Sequence, residues 1–235
     1  MSLTLISHFY NESFLLPYFL RHHVPMFDQG VMINHASTDD SVDIIRRLAP
    51  GWEIVDTALE CFDAERNDRE VESHEKRFPD TWKLVLNTTE FVLHPDLRGF
   101  IRHHEGNNAS CIWMKDFAIV DTIAEQHEDV TDAPLWTQRE HGFDAHSVRS
   151  RMIHRWECGE YALGRHSSHR WRKGLELLND QLVLAWYGWS PMSRCRPRKL
   201  QIQDRIPATD KAWRRGAEHI QTPESLQAEF EKFAA

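Results

Sequence analysis

Three short apolar runs that each break off at a polar cluster, with helix-length stretches between them, constrain this fold more than any other feature of the chain. Leu3 to Ser7 gives way to His8-Phe9-Tyr10-Asn11-Glu12, Gly30 to Ile33 to Asn34-His35-Ala36-Ser37-Thr38-Asp39-Asp40, and Leu84 to Leu86 to Asn87-Thr88-Thr89-Glu90. Runs so short and so apolar read as buried strands, and Glu53 to Asp56 supplies another. Helices fill the gaps. From Ser13 to His23 the residues Phe14, Leu15, Tyr18 and Phe19 recur at helical spacing, with Pro17 early enough to be tolerated. Val42, Ile44, Ile45 and Leu48 give the next stripe, capped by Thr38 or Asp39 and stopped by Pro50-Gly51. Residues 63–78 are dense in charge, lack a clear apolar stripe, and read as a partly exposed helix. This β-α-β-α-β order predicts parallel pairing with right-handed crossovers.

In open α/β folds ligands bind at the carboxyl ends of the strands, so Asn87 to Glu90, read as the exposed end of its strand, is either a site or a turn. No glycine-rich phosphate loop is present, which argues against a dinucleotide fold or a P-loop enzyme. Farther along, residues 99–104, 109–114, 147–155 and 181–187 read as strands without long intervening helices, as in a mixed or antiparallel sheet edge. A short helix is expected over 120–127, and two more near 208–219 and 224–233, the last capped by Thr222-Pro223.

The acidic residues are concentrated early. Residues 1–148 hold 12 Lys and Arg against 26 Asp and Glu, while residues 149–235 hold 16 against 10. The acidic part argues against general nucleic-acid binding; the basic part suits a phosphate-bearing ligand, peripheral contact with an anionic membrane, or simple attraction between two solvated faces. The four cysteines, Cys61, Cys111, Cys158 and Cys195, show no metal or redox spacing and fit a reducing compartment. With no basic leader and no long apolar segment, a cytoplasmic protein without a transmembrane segment is expected.

These pieces in order resemble a family-2-type glycosyltransferase of the GT-A fold, in particular a bacterial subgroup with Asn-Glu after the first strand, Ser-Thr-Asp after the second and Asp-x-Asp-Glu-Phe after the fourth. The corresponding positions here are Asn11-Glu12, Ser37-Thr38-Asp39 and Asn87-Thr88-Thr89-Glu90-Phe91. The resemblance implies an α/β transferase domain over residues 1–200, with a mixed, mostly parallel sheet flanked by helices, and a helical C-terminal extension over 201–235. It implies a nucleotide-sugar donor, uridine-linked, and a saccharide or lipid-linked acceptor. Asn11, Glu12, Asn34, Ser37, Asp39, Arg66, Asn87, Thr88 and Thr89 would hold the donor. Asp39 reads equally as a helix cap and Asn34 as a turn residue.

The family's Asp-x-Asp holds a divalent cation, Mn²⁺ or Mg²⁺, which bridges the donor's phosphates. Here both aspartates are replaced and only Glu90 brings charge. Three readings follow. Glu90 and a distant histidine, His169 or its rivals His154 and His166, form a weaker metal site. Alternatively, the basic stretch Arg149, Arg151, Arg155, Arg165, Arg170, Arg172 and Lys173 replaces the cation. Or the chain is a degenerate transferase that binds a nucleotide sugar without turnover. Catalytic carboxylates would be Glu90 together with Glu157 or Glu160, with Asp116 and Asp121 as alternatives for the base. Trp113, Trp186, Tyr187 and Trp189 serve either sugar stacking or the core.

Overall fold

A computed structural model describes residues 1–124, 133–139, 141–144, 151–170, 175–213 and 221–234, with backbone alone over 175–180. The first half alternates as its periodicity dictates: β1 (Leu3–Phe9), α1 (Leu16–His23), β2 (Gln29–Asn34), α2 (Ser41–Leu48), β3 (Glu53–Asp56), α3 (Ala64–Glu75) and β4 (Trp82–Asn87). β1 lies between β2 and β4, with β3 outside β2, and all these pairings are parallel. The strands therefore end at one edge of the sheet. Period-two alternation divides their side chains: Leu3, Leu5, Met32, Leu84 and Leu86 face one core, and Ile6, Val31, Ile33 and Val85 the other. Leu16, Phe19 and Leu20 of α1 and Ile44 and Ile45 of α2 close the first core, and Val71 of α3 joins the second.

The second half consists of β5 (Glu90–Leu93), α4 (Leu97–Gly106), β6 (Ala109–Val120), β7 (Gly142–Asp144), β8 (Met152–His154), β9 (Leu175–Trp189), α5 (Met192–Arg205), α6 (Ala208–Ala212) and α7 (Pro223–Ala234). The sheet runs β3-β2-β1-β4-β8-β6-β9-β5, with β7 beside β6. β8 is antiparallel to both β4 and β6, and β6 is parallel to β9. A parallel unit extended by antiparallel strands is the mixed α/β sheet expected of the sequence.

Residues 99–104 are not a strand but the body of α4. Asp96 caps that helix by accepting from the Gly99 N–H at 2.8 Å, and Leu97, Phe100 and Ile101 form its buried stripe. The helix expected over 120–127 is not formed in its described part: Val120 ends β6, residues 121–124 are irregular, and residues 125–127 lie outside the described residues. Of the strand expected over 147–155, β8 covers Met152–His154, and 147–150 lie outside the described residues. α6 ends at Ala212, with 214–219 likewise outside them. α5 was not anticipated, and it crosses the boundary expected at residue 200. α7 docks on the sheet through Leu226 and Phe230, which meet Val120 and Trp189. No helix among the described residues is long and apolar enough to cross a membrane.

Candidate functional site

The end of β4 is both a turn and the wall of a cavity. Thr88 and Thr89 turn the chain from β4 into β5, and all four residues from Asn87 to Glu90 line a cavity of about 470 Å³ at the carboxyl ends of β1 and β4. Thr88, Thr89 and Glu90 are buried rather than exposed. The Glu90 carboxylate accepts from Arg151 through Nη2–H at 2.7 Å and Nε–H at 2.9 Å, and from the Asn87 backbone N–H at 2.7 Å. Burial raises the Glu90 pKa, but the adjacent Arg151 guanidinium more than offsets this and holds it below the ordinary carboxylate value. Arg151 is itself pinned by a third bond, from Nη1–H to the Gly164 carbonyl at 2.8 Å.

Two further arginines are held in the same manner. Arg165 donates to Asp68 of α3 at 2.6 Å and to the Asn87 amide oxygen at 2.9 Å, and Arg198 of α5 donates through Nε–H to Glu12. Arg205, one helical face along α5, donates to the His35 carbonyl and lies 4.3 Å from the Tyr10 ring centroid. With Lys199, five basic side chains line the cavity, against the carboxylates of Glu12, Glu90 and Asp116. Asp116, on β6, is 9% exposed, and its Oδ1 has no partner among the described residues. Burial raises its pKa, and Asp144 and Glu90 add to the effect.

The strand end does not fit a bridging cation. Both Glu90 oxygens are engaged by Arg151, and the Asn87 carbonyl oxygen by Arg165, so the oxygens a cation would need already face guanidinium groups. A hard cation would have to displace two fixed positive charges, which Coulomb repulsion opposes.

The remaining expected residues divide by location. Glu12 reaches the cavity. Asn11, Ser37 and Asp39 instead tie together the loops after β1 and β2. The Asn11 N–H donates to Ser37 Oγ, Asn11 Oδ1 accepts from the Thr38 N–H, and Asp39 accepts from the N–H groups of Ser13 and Ser41. Asn34 donates to Asp56 and accepts from the Ser37 N–H. Arg66 is exposed and lines a separate shallow groove. Glu160 and His169 line another, on the α3 side, where Glu160 pairs with Arg170; Glu157 is exposed and lines neither. His154 is buried against Glu75 and Tyr161, while His166 lines the main cavity. Asp121 is occupied by Ser190, Arg139 and the Met192 N–H. Of the basic stretch, Arg151 and Arg165 line the cavity, Arg155 pairs with Glu105, and Arg149, Arg172 and Lys173 lie outside the described residues. Trp186 lines the cavity, whereas Trp113, Tyr187 and Trp189 are core residues.

The contribution of α5 to the cavity goes beyond the sites expected from the sequence. Arg198, Ile202 and Arg205 all line the cavity, at spacings of four and three residues that put them on one helical face. That spacing was the available signal, masked by Pro197 and by the low apolar content of the segment. His8, Tyr10, His35, Phe62 and Asn67 also line the cavity and were not singled out.

No family model and no curated protein matches this sequence. Among solved structures, it is similar to residues 1–349 of S. aureus TarS, with a TM-score of 0.48 at 9% identity, over 87% of this chain and 65% of that one. The same TarS fragment in complex with UDP gives 0.43 at 12% identity, over 56% and 38%. HddC from Yersinia pseudotuberculosis gives 0.45 at 9% identity, over 84% and 100%. The chain spans less than two thirds of the TarS structures it matches.

Proposed function

We propose that the chain is a glycosyltransferase that takes a sugar from a nucleotide-diphosphate donor, uridine-linked, and passes it to a saccharide or lipid-linked acceptor. The observation that carries this reading is the strand-end cavity with five basic side chains, three of whose guanidiniums are fixed in place by carboxylates. A diphosphate leaving group gains negative charge as its bond to the sugar breaks. Pre-oriented guanidinium forks can stabilise that charge with little reorganisation, the task a bridging cation performs in the family this chain resembles. Tyr10 and Phe62 offer ring faces to the base, and Thr88 and Thr89 offer hydroxyls to the sugar.

Asp116 is the group best suited to accept the acceptor's proton, because a carboxylate with a raised pKa and an oxygen without a hydrogen-bond partner is a stronger base than an ordinary one. In a single displacement the acceptor oxygen bonds to the anomeric carbon and its proton passes to Asp116. The bond from that carbon to the phosphate oxygen breaks, and the nucleoside diphosphate leaves. A cytoplasmic role in cell-surface polysaccharide synthesis completes the reading. The second reading, a nucleotide-sugar-binding protein without turnover, is favoured by the complete engagement of Glu90 with Arg151, which removes it from chemistry.

Calorimetry with UDP in the presence and absence of EDTA tests the proposal, with binding expected in both and equal affinity. Failure to bind any nucleoside diphosphate would sink both readings, and loss of binding with EDTA would remove the arginine substitution. Slow donor hydrolysis that is lost in Asp116→Asn favours the transferase. Tight binding with no hydrolysis or transfer favours the second reading.

A further inference from the structure

His8, His35 and Glu70 converge at one end of the cavity in a way the diphosphate reading does not use. His8 is the penultimate residue of β1, His35 follows β2, and Glu70 lies on α3. Their candidate ligand atoms all lie within 4.8 Å of one another, and His8 Nε2 is 3.2 Å from Glu70 Oε2. Ligands bound at zinc distances in a tetrahedron are about 3.3 Å apart, so His8 and Glu70, joined by a hydrogen bond, already stand at that separation, and the His35 ligand atom lies within 4.8 Å of both.

His35 supplies the second observation. It is 1% exposed and lines the cavity, yet neither ring nitrogen has a hydrogen-bond partner among the described residues. The neighbouring Asn67 amide interacts with the ring, but neither group makes a well-formed hydrogen bond. Buried polar groups are almost always well paired, and an imidazole with no well-formed bond at either nitrogen, beside another imidazole and a carboxylate, leaves room for a further partner. Glu70 is meanwhile held as a coordinating carboxylate usually is: Thr57 Oγ1–H donates to it at 2.7 Å and the Ala58 N–H at 3.2 Å. Two guanidiniums lie near: Arg165, balanced by Asp68, and Arg205, which donates to the His35 carbonyl.

We propose that His8, His35 and Glu70 form a binding site for a zinc-type divalent ion. Two imidazoles and one carboxylate suit Zn²⁺ or Co²⁺ rather than Mg²⁺, which prefers an all-oxygen shell. The three protein ligands leave a fourth position for water, on the side of the cavity that His8 and His35 line, so UDP held by the arginines does not depend on the ion. The site is distinct from the Asn87–Glu90 turn, whose oxygens are taken by arginines.

The full chain, stripped with EDTA and titrated with ZnCl₂, tests this by calorimetry, and the same titration with CoCl₂ reports geometry through visible absorption. One equivalent of Zn²⁺ is expected to bind, with the intense Co²⁺ bands of a four-coordinate site and a rise in melting temperature. His35→Ala and Glu70→Gln should each weaken that binding more than tenfold, whereas His103→Ala, on the exposed end of α4, should leave it unchanged. Glu70→Gln preserves shape at a half-buried position, so it keeps the test valid if His35→Ala fails to fold. Absence of a one-equivalent phase, or a phase that His35→Ala and Glu70→Gln leave intact, would overturn the proposal.

Discussion

Arg151 and Glu90 form a closed two-bond pair across the β4–β5 turn, with side chains 4% and 6% exposed. Sixty-one residues separate them in sequence. The pair fixes the cavity wall and keeps the end of the turn from serving as a metal ligand.

Removing one member strands a buried charge. Arg151→Met should therefore cost about 3–5 kcal/mol of folding stability, while Arg151→Met combined with Glu90→Gln should recover a large part of it. Urea denaturation of the two single variants and the double variant measures the coupling. Additive effects would mean that the pair is not closed in solution.

Arg198 should discriminate phosphate from nucleoside. Arg198→Ala is expected to weaken UDP binding by about 1.5–3 kcal/mol, the worth of hydrogen bonds to charged groups, while leaving uridine binding unchanged. Calorimetry with the two ligands makes the comparison, and an equal loss for both would place Arg198 away from the phosphates.

Asp116→Asn should lower kcat for transfer by about 10²–10⁴-fold with little change in donor KM. In the wild type, the acid limb of the kcat/KM profile should lie above the ordinary aspartate value of 3.8, because burial, Asp144 and Glu90 all raise this group. A steady-state pH profile checks both, and a limb at or below that value would assign the base elsewhere.

Stability should fall as pH drops below 6.5, the ordinary histidine value. His23 of α1 is wholly buried, and burial together with His22 depresses its pKa well below that value. The fold thus favours the neutral ring, and unfolding below pH 6.5 takes up a proton, at up to about 1.4 kcal/mol per pH unit for one site. Its stabilising contribution is complete above 6.5 and is lost as pH falls toward the folded value. His23→Gln should flatten that slope in thermal melts between pH 7 and 5.

Gly30 on β2 is covered by the Trp52 indole, and a Cβ there would lie 2.3 Å from a ring carbon. Gly30→Ala should destabilise by about 1–3 kcal/mol, as overpacking does. Denaturant unfolding would show it, and an unchanged midpoint would mean that Trp52 moves freely.

The parallel unit was legible in local pattern. Strand periodicity, helix stripes and breaks are local properties, and β1, α1, β2, α2 and β3 could be placed because each carries its own apolar pattern. α3 was legible only in outline. Its inner face carries Asn67, Asp68 and Glu75 beside Val71, and the loop over 159–165 satisfies those carboxylates, with Gly159, Tyr161, Gly164 and Arg165 donating to Asp68 or Glu75. α4 was misread because its three inward residues are too few to reveal a period without its Asp96 cap.

What the polar strand ends do depends on contacts made across the fold. Asn11, Ser37 and Asp39 use their hydrogen bonds to join two loops, whereas Asn87 and Glu90 meet arginines 78 and 61 residues away, and Glu12 meets one 186 residues away. Hydrophobic burial follows a repeat that a short window of sequence displays. The state of a buried charge depends on which group the fold brings within about 3 Å of it, and no local pattern records that distance.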